Sequence, residues 1–277
     1  MHVVNANGAA IPALGLGTWT LRGDACADLV ASALALGYRH VDTAARYDNE
    51  ADVGRGLAAS DIGRDAVFVT TKVWYTDIAA GKLERAAEAS LRRLGLHHVD
   101  LLLIHWPNPT IPLKETIGAL NAARRGGLTR HVGVSNFPPR LLAEAVALSE
   151  APLVCDQVEY HPYLDQSKLV AACRAADMAL VSYCPLFRDG GLFSEPAVRA
   201  AAEHHGKTPG QVILRWHVQQ AGVVAIPRTT RKERLAENIA VFDFALSEPE
   251  MEAITTLTQA GRRLCDHDEF PIDWAAG

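Results

Sequence analysis

Short β-rich apolar runs and helical stripes alternate along the whole chain. The runs lie at residues 14–17, 39–43, 67–71, 99–104, 131–135, 154–159, 179–183 and 223–226. Several are continuously apolar, as in Val99-Asp100-Leu101-Leu102-Leu103-Ile104, the pattern of strands buried on both faces. Between them Leu29, Ala33 and Leu36 share a helical face, with Gly37 as the stop. Leu83, Ala87, Leu91 and Leu94 form a second stripe stopped by Gly95, and Leu141, Leu142, Ala145, Val146 and Leu148 a third. Capping boxes mark three helix starts, Thr208 to Gln211, Thr230 to Glu233 and Ser247 to Glu250. Asn7-Gly8 inside residues 3–12 predicts a β-hairpin ahead of the first strand. Eight strands alternating with helices, and no Pro/Gly/Ser-rich linker, predict an α/β fold. The expected form is a (β/α)8 TIM barrel with an N-terminal β-hairpin, one domain over residues 1–277. A doubly wound sheet is the competing architecture, but such sheets more often stop near five or six strands. The tail after Thr258 reads as irregular.

Composition narrows the function. A chain of 277 residues buries about three quarters of its unfolded surface and needs no disulfide or metal staple. With 49% apolar and 21% charged residues it is neither disordered, collagen-like nor a coiled coil. A net charge of −5 offers no general basic field for nucleic acid or an anionic membrane, so neither partner is expected. Five cysteines without C-x-x-C spacing suit reduced thiols. The N-terminus lacks the Lys/Arg of a signal peptide, and Asn, Gly and Pro interrupt the uncharged residues 3–21. A soluble cytoplasmic protein is expected.

In a (β/α)8 barrel the chemistry sits at the C-terminal ends of the strands. Those ends carry Asp42 with Tyr47 beyond it, Lys72, His105, Ser135-Asn136, Gln157 and Glu159, Tyr183, and Pro227-Arg228-Thr229. An Asp, a Lys, a His and a Tyr from three successive strands can transfer a proton. A phenol of ordinary pKa near ~10 is a poor acid at neutral pH, and an adjacent ammonium improves it. A buried Lys72 needs a counter-ion, which Asp42 supplies, and His105 can direct a substrate carbonyl. Any one of these residues taken alone reads more simply as an ion pair or a packed side chain.

Several blocks carry a family resemblance. Gly37-Tyr38-Arg39-His40-Val41-Asp42-Thr43-Ala44, followed by Tyr47 and Asn49-Glu50, resembles the signature of the aldo-keto reductases. So do Thr71-Lys72-Val73-Trp74, Leu103-Ile104-His105-Trp106-Pro107, Gly133-Val134-Ser135-Asn136-Phe137, and Gln157-Val158-Glu159-Tyr160-His161-Pro162-Tyr163. Ile226-Pro227-Arg228-Thr229-Thr230, with Arg234 and Glu237-Asn238, resembles the family's cofactor-anchoring segment. Short substrate loops and the ending from Arg262 to Trp274 are similar to bacterial 2,5-diketo-gluconate and methylglyoxal reductases.

The resemblance implies an NADPH-dependent enzyme that reduces aldehydes or ketones, dicarbonyls or keto-sugar acids among them, and is a monomer. It implies Tyr47 as general acid, Lys72 lowering its pKa, Asp42 holding Lys72, and His105 orienting the carbonyl. Ser135, Asn136 and Gln157 are implied to hold the nicotinamide carboxamide, with Tyr183 stacked on the ring. Gly17, Thr18, Trp19, Leu186, Arg228, Thr229, Arg234, Glu237 and Asn238 complete the implied cofactor contacts. Three positions depart from the common pattern: Arg228 and Thr229 stand for Lys and Ser, and Cys184 for a small polar residue near pyrophosphate, which Arg188 can offset.

Independent of the resemblance, Arg228, Arg231, Lys232 and Arg234 cluster at an expected helix start after the last strand, a frequent phosphate position in this fold. Trp19, Trp74, Trp106 and Trp274 are expected to line an apolar substrate pocket. Gly54-Arg55-Gly56-Leu57-Ala58-Ala59 fits G-x-G-x-x-A but lies in a helical stretch, so it is discounted. His97-His98 and His204-His205 are expected to point apart, and no metal site is expected. The rival reading is a non-catalytic NADPH-binding regulatory protein on the same fold, against which the intact Asp42, Tyr47, Lys72 and His105 argue.

Overall fold

The computed structural model describes residues 2–188, 190–266, 269 and 272–274. It opens with an antiparallel pair, β1 (Val3–Ala6) and β2 (Ala9–Pro12), turning at Asn7-Gly8. Both turn residues have positive φ, 45° and 84°, as a two-residue hairpin requires. The Asn7 amide donates to the carbonyls of Leu153 at 2.7 Å and Ala176 at 2.9 Å. These bonds pin the hairpin to the N-terminal side of two later strands.

Eight parallel strands follow: β3 (Leu16–Gly17), β4 (His40–Asp42), β5 (Phe68–Val73), β6 (Val99–Ile104), β7 (Thr129–Ser135), β8 (Leu153–Glu159), β9 (Ala179–Tyr183) and β10 (Val223–Ala225). Each pairs with its neighbour in chain order. The ring closes where Leu14 bridges Ala225 in parallel, and the Gly17 N–H donates to the Pro227 carbonyl at 3.0 Å. This is the expected (β/α)8 barrel. Every residue of β6 and of β8 is buried. Side chains such as Leu102 and Ile104, 1% and 0% exposed, each contribute roughly 1.5–3 kcal/mol on burial.

The helices are α1 (Gly23–Ala35), α2 (Glu50–Ala58), α3 (Lys82–Leu94), α4 (Leu113–Arg125), α5 (Pro139–Leu148), α6 (Ser167–Ala175), α7 (Pro196–His205), α8 (Pro209–Gln219), α9 (Lys232–Ile239) and α10 (Glu248–Thr255). Among the described residues no helix is long and apolar enough to cross a membrane. Gly54 and Gly56 serve packing. A Cβ on Gly54 would stand 2.4 Å from the Leu94 carbonyl oxygen, and one on Gly56 2.6 Å from that of Ala27.

The barrel departs from the sequence expectations at specific points. Lys72 lies inside β5, which runs on to Val73. Leu36 is exposed, because α1 ends at Ala35 and its buried line is Cys26, Leu29, Val30, Ala33 and Leu34. In α5 only Leu142 and Ala145 are buried. Val146 and Leu148 sit roughly 70–90° round the helix from that contact line and remain exposed.

The capping boxes at Thr208 and Ser247 form, but α9 has none. Its N-cap is Arg231, whose N–H is taken by the Thr229 hydroxyl at 3.1 Å, so Thr230 is left outside the helix start. His204 and His205 converge rather than diverge. Using different ring nitrogens, Nδ1 at 2.8 Å and Nε2 at 3.1 Å, both meet the Glu250 carboxylate. Burial works against that carboxylate, yet bonds from His204, Ser247 and His205 hold its pKa down to about 2. The cluster clamps α7 to α10.

Candidate active site

The floor of the site is an ion pair at the C-terminal ends of β4 and β5. Lys72 Nζ donates to Asp42 Oδ1 at 2.6 Å, to the Thr43 carbonyl at 3.0 Å and to Tyr47 Oη at 3.3 Å. The Lys72 and Asp42 side chains are 0% and 2% exposed. The other Asp42 oxygen accepts from Gln157 Nε2 at 2.8 Å, which ties β8 into the same network. Burial opposes the Lys72 ammonium, but Asp42 and then Tyr47 outweigh it and the pKa is raised. A buried charge of this kind persists only when it is paired and hydrogen-bonded.

Tyr47 sits on a short 3-10 turn, Ala45–Tyr47, beyond β4. Two hydrogen bonds brace that turn: Thr43 Oγ1 donates to Asn49 Oδ1 at 2.8 Å, and Asn49 Nδ2 to the Thr18 carbonyl at 2.7 Å. Glu50 fastens α2 below, accepting from Thr71 Oγ1 and, at 2.8 Å, from Arg93 Nε. Burial pushes the Tyr47 phenol above its ordinary pKa, and Lys72 pulls it down by less. The phenol is therefore protonated at neutral pH. Because its oxygen accepts from Lys72, its own proton is free for another acceptor.

His105 follows β6, with its ring edge-on to Tyr47 (5.6 Å between centroids) and to Trp74 (5.1 Å). Burial, then Lys72, then Arg46 drive its pKa well below the ordinary value, so the imidazole is neutral. Its Nδ1 is buried without a partner.

On the opposite wall Ser135 Oγ donates to the Gln157 carbonyl at 2.7 Å. Asn136, in the left-handed region at φ 64°, donates to the His105 carbonyl at 3.0 Å. It accepts from Tyr183 Oη at 2.8 Å. Gly17, Thr18, Trp19, Asp42, Tyr47, His105 and this wall all open on one cavity of about 560 Å³, with Lys72 beneath it. Trp74, Trp106, Leu186 and Arg228 line it as well.

Other expected residues lie elsewhere. Thr229, Arg234, Glu237 and Asn238 are not on the cavity wall; they continue from Arg228 into α9. Arg234 Nε is buried and unpartnered, and Glu237 accepts from Thr208 Oγ1 at 2.7 Å. Trp274 does not line the pocket either. Its ring lies 3.9 Å beneath the Arg263 guanidinium and its indole N–H points to Asp266. Glu159 turns out to hold the tail: it takes the N–H groups of Leu264 at 2.6 Å and Cys265 at 2.7 Å. His161 bonds the same carboxylate at 2.8 Å.

Sequence reading missed several cavity residues. Arg46, with its guanidinium 5.4 Å from the Trp74 ring centroid, stands one position before Tyr47, and that adjacency was the available signal. Phe187 and Cys265 also line the cavity, and no motif pointed to either.

Comparison with known proteins identifies the family and the fold. The model of the aldo/keto reductase family matches residues 13–259. A methylglyoxal reductase DkgB from Yersinia pestis is 38% identical over 268 residues, covering 96% of this chain and 99% of its own. The crystal structure of a putative 2,5-diketo-D-gluconic acid reductase B superposes with a TM-score of 0.95 at 44% identity, covering 99% of this chain and 97% of that one. A Bombyx mori aldo-keto reductase in complex with NADP superposes at 0.90 with 34% identity, covering 97% of each chain. The chain belongs to the aldo/keto reductase family and is a carbonyl-reducing oxidoreductase.

Proposed function

We propose that the chain reduces small aldehydes and ketones with NADPH, and that Tyr47 gives the proton to the carbonyl oxygen. The observation that carries this is the Lys72 ammonium bonded to both Asp42 and Tyr47 Oη, with neutral His105 beside them on the cavity wall.

The cleft suits an anionic dinucleotide. Among the described residues, three guanidinium groups, Arg46, Arg188 and Arg228, line it, against one carboxylate, Asp42, that Lys72 already neutralises. Arg234 adds a buried, unpartnered Nε just beyond. Arg228 and Arg234 would hold phosphate, Thr229, Glu237 and Asn238 would support the adenosine end, Tyr183 would stack on the nicotinamide, and Ser135, Asn136 and Gln157 would take its carboxamide. When bound, the cofactor supplies a hydride.

The protein's own share is positioning and the proton. His105 is neutral, so it donates one N–H to the carbonyl oxygen and fixes its direction. Tyr47 supplies the second hydrogen bond and, as negative charge grows on that oxygen, the proton. Lys72 keeps the resulting phenolate from standing alone, and Asp42 keeps Lys72 charged.

Trp19, Trp74 and Trp106 give the substrate end an apolar wall, and Arg46 puts a cation at its rim. We read the substrates as small dicarbonyls of the methylglyoxal kind and keto-sugar acids, the latter favoured by Arg46. We also read the enzyme as a cytoplasmic monomer. Its five cysteines are free thiols, as suits a reducing compartment, and gel filtration at the mass of one chain checks the second point. Following nicotinamide absorbance with a carbonyl panel tests the function directly. Turnover with several small aldehydes supports it. Binding of NADPH with no turnover on any carbonyl would instead establish a regulatory protein on this fold.

A further inference from the structure

Two cysteines meet at the mouth of the cleft, far apart in sequence. Cys184 follows β9 in a left-handed backbone conformation, φ 50°. Cys265 lies in the C-terminal tail, and both line the active-site cavity. One nitrogen of Arg188 reaches both sulfurs, at 3.5 Å from Cys184 Sγ and 3.1 Å from Cys265 Sγ, and so holds the two thiols side by side. The contact is held from both sides. Glu159 pins the tail through the N–H groups of Leu264 and Cys265. Arg262 lays its guanidinium 4.4 Å from the Phe187 ring centroid, on the same loop as Cys184.

The other thiols offer nothing comparable. Cys26, Cys155 and Cys173 are buried, and burial, foremost, raises the pKa of each. Cys184 goes the other way. The bond from Cys265 and the charge and bond of Arg188 outweigh burial and the nearby Glu159, bringing it down to about 7. Among the described residues Tyr47 and Tyr183 also face it, and burial, foremost, raises the pKa of both phenols. An accessible thiolate beside a second thiol is the arrangement that peroxides oxidise reversibly.

We propose that Cys184 and Cys265 are a peroxide-modified thiol pair whose disulfide straps the C-terminal tail to the loop over the cofactor cleft. The Cys184 thiolate attacks one oxygen of hydrogen peroxide. The O–O bond breaks, the leaving hydroxide takes a proton as water, and Cys184 becomes a sulfenic acid. Cys265 then loses its thiol proton and attacks the Cys184 sulfur. The S–S bond forms, the S–O bond breaks, and a second water leaves. Two thiols are oxidised and one peroxide is reduced, and a dithiol reverses the change. The loop from Cys184 to Arg188 lines the cleft, so strapping it down slows cofactor exchange.

The test treats the full chain with hydrogen peroxide and maps alkylated peptides by mass spectrometry under non-reducing conditions. The expected result is a linked Cys184–Cys265 peptide, two fewer free thiols, and recovery with dithiothreitol. Cys265→Ser is expected to trap a dimedone-reactive sulfenic acid at Cys184, and Arg188→Leu to slow oxidation about 5- to 15-fold at pH 7 as the thiol returns toward its free pKa. Oxidation of Cys184 without the linked peptide overturns the proposal, as does equal oxidation of Cys26, Cys155 or Cys173. The wild-type cross-link decides this even where a variant folds poorly. The consequence for the cleft rests on the functional reading above. NADPH release, followed by fluorescence, should slow by about tenfold or more in the oxidised protein. An unchanged release rate with the cross-link present overturns the strap. Failure of the reduced protein to bind NADPH counts against the functional reading and leaves the thiol chemistry to the peptide map.

Discussion

Asp42→Asn keeps the shape of the side chain and removes its charge, leaving the Lys72 ammonium in a site with 0% exposure. Its remaining partners are the Thr43 carbonyl at 3.0 Å and Tyr47 Oη at 3.3 Å, both neutral. The new amide also meets a conflict: if its oxygen accepts from Lys72, its N–H groups face Gln157 Nε2, itself a donor. Removing one partner of a buried pair costs roughly 3–5 kcal/mol. With an unfolding entropy of roughly 2.1 cal/mol/K per residue, a chain of 277 residues has about 0.6 kcal/mol/K, so Tm should fall by about 5–9 °C at pH 7.

The pH dependence carries the sharper sign. In the wild type the Lys72 pKa is raised, so its stabilising contribution is fully present below the unfolded value near ~10.4 and constant from pH 7 to about 10. In the variant the folded pKa drops below the unfolded one. The unfolded chain then binds more protons, and the variant gains up to about 1.4 kcal/mol per pH unit as pH rises toward 10. Urea melts of both proteins by circular dichroism at pH 7, 8.5 and 10 measure the gap. It should narrow with pH. A gap below about 1 kcal/mol at pH 7, or one that does not change with pH, would refute the claim that Asp42 keeps a buried ammonium charged.

Arg46→Gln should lower kcat/KM for 4-carboxybenzaldehyde by about 10- to 100-fold, mostly through KM, and change that of its methyl ester little. Equal losses on both would remove Arg46 as a carboxylate selector. Arg234→Ala should weaken NADPH binding by about 1.5–3 kcal/mol and NADH binding much less, read by quenching of tryptophan fluorescence. Equal weakening would move the phosphate grip to Arg228 or Thr229. Asp156 is 0% exposed, its Oδ2 has no partner, and burial raises its pKa well above the ordinary value. Its neutral form fits the native state, so the wild type loses stability relative to Asp156→Asn as pH rises above ~3.9. Melting curves from pH 4 to 7 should show the variant gaining on the wild type; a constant difference would mean Asp156 titrates normally.

The barrel was legible because strands buried on two faces are written as uninterrupted apolar runs. The runs at residues 99–104 and 179–183 match β6 and β9 residue for residue. The residues around Lys72 were legible for a related reason. A charged or hydrogen-bonding side chain at the end of such a run has few places to point except the barrel mouth. What escaped depends on contacts that no local pattern encodes. Thr230 has the residue types of a capping box, but the Thr229 hydroxyl reaches the Arg231 N–H first. Leu36 continues a helical spacing past the point where the helix has ended. The meeting of Cys184, Arg188 and Cys265, and that of His204 and His205 with Glu250, joins segments 77 and about 45 residues apart, a matter of tertiary packing alone. Trp274 shows the same limit: its ring is claimed by Arg263 rather than by the pocket.

The central claim is that the Tyr47 hydroxyl delivers the proton. Tyr47→Phe removes that one oxygen and leaves the ring against His105. Single-turnover oxidation of enzyme-bound NADPH by a small aldehyde should slow by about 10²- to 10⁴-fold in this variant, with NADPH affinity unchanged by fluorescence titration. A variant that binds NADPH normally and turns over at the wild-type rate would contradict the account.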